Sequence, residues 1–237
     1  NFGVNVAEAV LIKPDDEINE EEILKKVGLP CFVKPTDGEI VVDGIVRKFE
    51  NPRDAMEAGI ATVHQHLAMI PLMSVSRNFF LGNEPTKKIA GIPFYDREKA
   101  DHETMEAMRK MGINLRGPDQ AVGTLSGGER QTVAISRAVH FGAKVLILDE
   151  PTSALGVRQT SNVLATIDKV RKEGVAVVFI THNVRHALAV GDRFTVLNRG
   201  TTHGTAERGG ITPEALQDLM AGGQELASLE GSLGGTV

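Results

Sequence analysis

The chain has 237 residues, 41% of them hydrophobic and 24% charged, with a net charge of −5 and a pI near 5.8. That length can bury a substantial core as one large domain or two small ones, and the acidic balance argues against a strongly basic nucleic-acid binder, so no nucleic-acid partner is expected. No apolar stretch approaches the roughly 20 residues needed to cross a bilayer, Asn1-Phe2-Gly3 opens no secretory signal, and a lone cysteine, Cys31, fits a reducing cytoplasm.

Residues 5–36 read as strand, helix, strand. Residues 7–13 are apolar and lead into the turn-forming Pro14-Asp15-Asp16. Asn19 can cap a helix whose acidic start, Glu20-Glu21-Glu22, and basic end, Lys25-Lys26, both suit the helix dipole. Gly28 stops it, and Pro30-Cys31-Phe32-Val33-Lys34 reads as a second buried strand. Residues 39–49 alternate around Asp43-Gly44, which predicts a hairpin. A short helix over 52–59 follows, then a strand over 60–64 that ends at Gln65.

Residues 66–82 are rich in Leu, Met and Phe with no clean period. Half of them could be the core of a small helical subdomain. The methionine excess also suits an adaptable apolar groove, with Met69, Met73, Phe79 and Phe80 as its candidates. Residues 96–111 form an amphipathic helix with Ala100, Met105, Met108 and Met111 on or near one face. Gly112 and Gly117-Pro118 end that subdomain.

Leu125-Ser126-Gly127-Gly128-Glu129-Arg130-Gln131 reads as a helix start. Ser126 is a good N-cap, and Glu129 three positions on can complete a capping box. Two first-turn glycines each lower helix propensity by about 1 kcal/mol. They make sense if a ligand must approach bare backbone N–H groups, and phosphate is the natural occupant of a helix N-terminus. The apolar run 145–148 then suits a strand buried on both faces of a parallel sheet, ending in Asp149-Glu150-Pro151-Thr152. In such sheets ligands bind beyond the strands' C-terminal ends, where Asp149 and Glu150 stand.

Residues 157–172 predict a helix with Val163, Leu164, Ile167 and Val170 on one stripe. Gly174 stops it, and 175–180 reads as another fully buried strand, which makes a right-handed βαβ unit. His182 follows that strand. Residues 193–199 and 201–206 read as a hairpin through Gly200, and Thr212-Pro213 opens a last helix. From Gly222 the chain turns glycine- and serine-rich and is expected to be loose.

The two pieces at 125–152 resemble the signature motif and Walker B strand of an ATP-binding cassette (ABC) ATPase, the motor subunit of ABC transporters. The resemblance runs over about residues 35–237. Within it, Ala154-Leu155-Gly156-Val157 and Phe179-Ile180-Thr181-His182-Asn183 look most like the bacterial importers of simple sugars. Gly156 stands where many cassettes have Asp and is a mark of that branch. The resemblance implies an α/β fold of the P-loop NTPase-like kind, with a parallel sheet, an antiparallel β layer and a helical subdomain over about 66–130. It implies ATP and Mg2+ as ligands. Asp149 would hold magnesium, Glu150 would polarise the attacking water, and Gln65 would reach both the magnesium and that water. His182 would contact the γ-phosphate. Ser126, Gly127, Gly128 and Glu129 would face the nucleotide of a second subunit, and a membrane-spanning sugar permease would dock on 66–82. The expected location is cytoplasmic, peripheral at the inner face of the membrane.

Residues 5–36 resemble something else, the segment entering the ATP-grasp region of a D-alanine–D-alanine ligase. There the lysine matching Lys34 contacts ATP phosphate; the small-residue phosphate loop expected next is absent. The chain thus resembles a splice of two families at 34–38, with a ligase-like segment at 1–36, a cassette at 37–221 and a tail at 222–237. ABC chemistry also calls for a G-x-x-x-x-G-K-[S/T] cradle, and no Gly-Lys dipeptide occurs anywhere in the sequence. Impaired ATP turnover is therefore expected. The rival readings are a non-catalytic subunit that donates its signature to an intact partner and, less favoured, an ATP-grasp ligase fragment.

Overall fold

The computed structural model describes residues 31–34, 39–42, 45–198 and 201–220, so the expected strand and helix before Cys31, the Asp43-Gly44 and Gly200 turns and the tail lie outside the described residues. The chain divides into two compact units, 1–48 with 181–237, and 49–180.

The first unit opens with β1 (Cys31–Lys34), β2 (Glu39–Val42) and β3 (Ile45–Arg47), paired antiparallel in that order. The expected hairpin is the β2–β3 pair. Lys34 ends β1 and is paired in register with Glu39.

The second unit begins with α1 (Pro52–Glu57). Asn51 caps it by accepting the N–H groups of Arg53 and Asp54, and the Asp54 carboxylate closes a capping box. β4 (Ile60–Val63) follows. After a loop come α2 (Val75–Phe79), β5 (Thr86–Ile89), β6 (Ile92–Tyr95) and α3 (Arg97–Lys110). The β5–β6 hairpin was not expected from sequence. It turns at Ala90 and Gly91, both left-handed, with φ of 50° and 83°, as a two-residue hairpin connection demands. Ala100 and Met108 of α3 are buried as expected, whereas Met105 and Met111 are only half-buried.

The apolar stretch at 66–82 divides in a way its composition did not reveal. Val75, Phe79 and Phe80 are buried and join Ala100, Met108, Val122, Leu125 and Val133 in one core cluster. The expectation that Phe79 and Phe80 line an exposed groove is therefore corrected: burial claims them, and Leu72 and Ile70 are the apolar side chains left outside, 94% and 44% exposed. Arg137 fastens the end of α2, donating Nε to the Phe79 carbonyl at 2.9 Å and Nη2 to that of Leu81 at 2.6 Å. Burial pushes its guanidinium below the ordinary arginine value, opposed by the charge of Glu84.

The rest of this unit is α4 (Gly127–His140), β7 (Val145–Asp149), α5 (Val157–Lys172) and β8 (Ala176–Ile180). β4, β7 and β8 form a parallel sheet in that order. Val145, Leu146 and Leu148 of the central strand are buried, as its unbroken apolar run requires. β8 departs from expectation. Its burial alternates, leaving Val178 and Ile180 at 42% and 47% exposed. An apolar run alone does not tell a central strand from one flanked on a single side, and among the described residues β8 pairs only with β7.

The chain then returns to the first unit with α6 (Val184–Val190), β9 (Arg193–Asn198), β10 (Thr201–Glu207) and α7 (Pro213–Met220). β9 and β10 pair antiparallel with an irregularity at Thr202–Gly204. Phe194, Val196 and Leu216 form the core there, and Thr212 caps α7 by accepting the Ala215 N–H at 3.2 Å.

Candidate functional site

In the sheet of the second unit, Val63 stands opposite Leu148, and Asp149 opposite Ile180. Gln65, Asp149 and Glu150 therefore emerge at one edge, the C-terminal one, where open parallel sheets bind ligands. Glu150 has a φ of 47°, sparsely populated for a side-chain-bearing residue. Its N–H donates to the Ile180 carbonyl at 3.0 Å, extending the β7–β8 ladder one residue beyond the strand. Strain of this kind clusters at functional sites and persists only where neighbours over-determine it.

Beyond Glu150 the chain turns sharply. Pro151 and Thr152 are buried, and the Ser153 N–H donates back to the Glu150 carbonyl at 3.0 Å. The Gln65 side-chain amide donates to Ser153 Oγ at 3.3 Å. Ser153 was absent from the sequence expectations. No local pattern links it to a glutamine 88 positions away, and only the parallel pairing of β4 with β7 brings the two together.

The start of α4 forms as read. Ser126 Oγ accepts the Glu129 N–H at 3.3 Å and the Glu129 carboxylate accepts the Ser126 N–H at 2.7 Å. Arg130 Nη1 donates to the Leu125 carbonyl at 2.6 Å, and Thr132 Oγ1 donates to that of Gly128 at 3.0 Å. The Glu129 side chain is thus engaged in its own helix cap.

Gly127 and Gly128 carry a reason beyond ligand approach. A Cβ on Gly127 would stand 2.7 Å from Leu155 Cδ2, and one on Gly128 would stand 3.1 Å from Gln159 Cβ and 3.3 Å from the Gln159 carbonyl oxygen. Both glycines allow α4 to pack closely on the loop before α5 and on its first turn. Part of the demand for glycine at these two positions therefore comes from this chain's own packing.

His182 lies two residues past β8 and belongs to the first unit. Lys34, at the end of β1, belongs to that unit as well. Asp149 and Gln65 offer a carboxylate and an amide oxygen, hard donors that suit Mg2+, which takes one or two carboxylates together with substrate phosphates. No cluster of three or more His, Cys, Asp or Glu able to hold a metal occurs among the described residues. The donors fit that mode of Mg2+ binding.

A protein-family model described as "ABC transporter" matches residues 29–153. It takes in β1, which the sequence reading had given to the ligase-like segment. The fructose import ATP-binding protein FrcA of Rhizobium meliloti is 38% identical over 204 residues, 84% of this chain and 78% of the relative. The xylose/arabinose import ATP-binding protein XylG of Sulfolobus acidocaldarius is 36% identical over 197 residues, 83% of this chain and 76% of the relative. Among solved structures, a dimeric ATP-binding cassette in a post-hydrolysis state with ADP and Pi superposes with a TM-score of 0.59 at 24% identity, covering 81% of this chain and 82% of that one, which speaks to the fold. Family model, relatives and fold agree, and the chain belongs to the ABC transporter family.

Proposed function

We propose that this chain is the ATP-binding subunit of an ABC importer for a simple sugar. The observation that carries the reading is the shared sheet edge of Gln65, Asp149 and Glu150, together with a helix start capped by Ser126 and Glu129. The relatives' names, fructose import and xylose/arabinose import, supply the substrate class. In this reading Asp149 would hold magnesium, which would supply charge stabilisation for the phosphates, and Glu150 would polarise the attacking water. Gln65 and His182 sense the γ-phosphate, and Lys34 adds one positive charge. Ser126, Gly127, Gly128 and Glu129 face the nucleotide of a second cassette, since a cassette site is shared across a dimer. The loop that exposes Ile70 and Leu72 meets a membrane-spanning permease, with the subunit peripheral at the cytoplasmic face; no described helix is long and apolar enough to cross a membrane itself.

The chain's own turnover is impaired in this reading, because no Gly-Lys dipeptide, and so no G-x-x-x-x-G-K-[S/T] phosphate cradle, occurs in the sequence. Charge-assisted hydrogen bonds contribute about 1.5–3 kcal/mol each, so losing two weakens ATP binding on the order of a hundredfold or more. The complete capping box of α4 favours one further reading, a subunit that turns over little ATP itself and donates its signature helix to an intact partner. Calorimetric titration of the chain with Mg-ATP and a phosphate-release assay test the proposal. Weak binding and negligible release are expected. Turnover on the order of 1 per second that vanishes in Glu150→Gln would overturn the claim of impairment, and calorimetry that detects no binding of Mg-ATP by the chain at all would overturn the ATP-binding reading itself.

A further inference from the structure

The loop between β7 and α5 touches both Gln65 and the start of α4. At Ser153 it accepts the Gln65 amide at 3.3 Å. Two residues later, Leu155 Cδ2 fills the space a Cβ on Gly127 would need, at 2.7 Å. Pro151 and Thr152 are buried and fix the loop's root, whereas Ala154 and Gly156 are exposed and leave its outer part free to shift. Ala154 sits at φ 57°, a left-handed conformation that costs free energy for a residue with a Cβ and persists only when neighbours hold it. Ser153 before it and Leu155 after it are those neighbours' points of attachment.

We propose that Ser153 is a positioning residue that couples Gln65 to the start of α4: the Gln65–Ser153 hydrogen bond holds the strained loop so that Leu155 braces Gly127. Withdrawal of the Gln65 amide, as when it turns toward a ligand at the sheet edge, frees Ala154 to relax and takes Leu155 off Gly127. The first turn of α4 loosens in response. The link runs entirely within one unit of one chain. By linkage it is reciprocal, so a disturbance at Gly127 reaches Ser153 to the same extent. The inference rests on the reading of Gln65 as part of this chain's own nucleotide site and of Ser126 as part of the site shared with a second cassette, but its test uses no nucleotide, so its failure would leave that reading to its own assay.

The test is amide hydrogen exchange on the full chain without ligand. Two amides report on α4: Glu129 N–H, bonded to Ser126 Oγ, and Arg130 N–H, bonded to the Ser126 carbonyl. Ser153→Ala should speed both about three- to tenfold, the range that loss of one net hydrogen bond allows, with α2 and β7 unchanged. Ser153→Thr keeps the hydroxyl and should restore slow exchange. Gln65→Ala should match Ser153→Ala, and the double variant should go no further, because one interaction is lost only once. A rise confined to 150–156, or single effects that add, would overturn the proposal. If Ser153→Ala instead speeds exchange throughout the chain, Gly127→Ala decides. Its methyl displaces Leu155, so the Ser153 N–H should exchange several-fold faster, and an unchanged Ser153 would overturn the coupling.

Discussion

The side chain of Asn78 satisfies both backbone groups of Ile70: its Oδ1 accepts the Ile70 N–H at 2.8 Å and its Nδ2 donates to the Ile70 carbonyl at 3.0 Å. The same Nδ2 lies 3.1 Å from the carbonyls of Met73 and Ser74. Asn78 is buried; the carbonyls of Ile70, Met73 and Ser74 each also accept a backbone N–H, so the Ile70 N–H is the group that depends on the Asn78 side chain. Asn78→Leu should therefore lower stability by about 1–3 kcal/mol, the cost of leaving the Ile70 N–H without its acceptor. Urea melts check this. Asn78→Asp keeps the acceptor, loses the donor and should fall between.

The division of the 66–82 stretch into core and surface gives a paired prediction. Phe79→Ala opens a cavity in the main cluster and should cost about 3–5 kcal/mol. Leu72→Asp, at a side chain almost wholly in solvent, should change stability by less than about 0.5 kcal/mol. If Leu72→Asp folds normally yet fails to associate with permease-bearing membranes, the docking loop is placed correctly. Retained association would remove Leu72 from that surface.

Near the end of α5, Asp168 lies 2.7 Å from Lys172 Nζ and 2.9 Å from Arg171 Nη2. The hydrogen bond from Lys172, with the charges of Lys172 and Arg171, holds its carboxyl below the ordinary range, against the opposing effect of burial. A folded-state value below the unfolded one, near 3.9, means the carboxylate stabilises the fold above that pH. That stabilisation is lost as pH falls through the lower folded value. Asp168→Asn should therefore melt slightly below wild type at pH 7, by a margin kept small by solvent screening. The two melting curves should converge at the acid end, once pH falls below the lowered folded-state value; a gap that stays constant with pH would count against the pairing.

The donor reading has a direct assay. Mixed with an intact sugar-importer cassette whose own signature is disabled, this chain should restore hydrolysis at one of the two shared sites. Ser126→Arg should abolish the rescue by filling the amide pocket and removing the hydroxyl that accepts the Glu129 N–H. A mixture that stays inactive although co-purification shows the dimer forms would mean the signature is not functionally presented.

Local features were legible in the sequence because their causes are local. The Ser126–Glu129 capping box lies within four residues, the β2–β3 hairpin within nine, and the α3 and α5 faces repeat within single helices. The apolar run ending in Asp149-Glu150 marked a sheet edge for the same reason, since a strand's burial and its polar end are written consecutively. Tertiary structure decided what depends on distant partners. Phe79 and Phe80 are core because α3 and α4 cover them, which no count of methionines could reveal. β8 is half-exposed because strand order, not composition, sets how many neighbours a strand has. Gly127 and Gly128 answer to Leu155 and Gln159, and Gln65 to Ser153, because the parallel register and the close approach of α4 to α5 bring together residues that share no sequence neighbourhood.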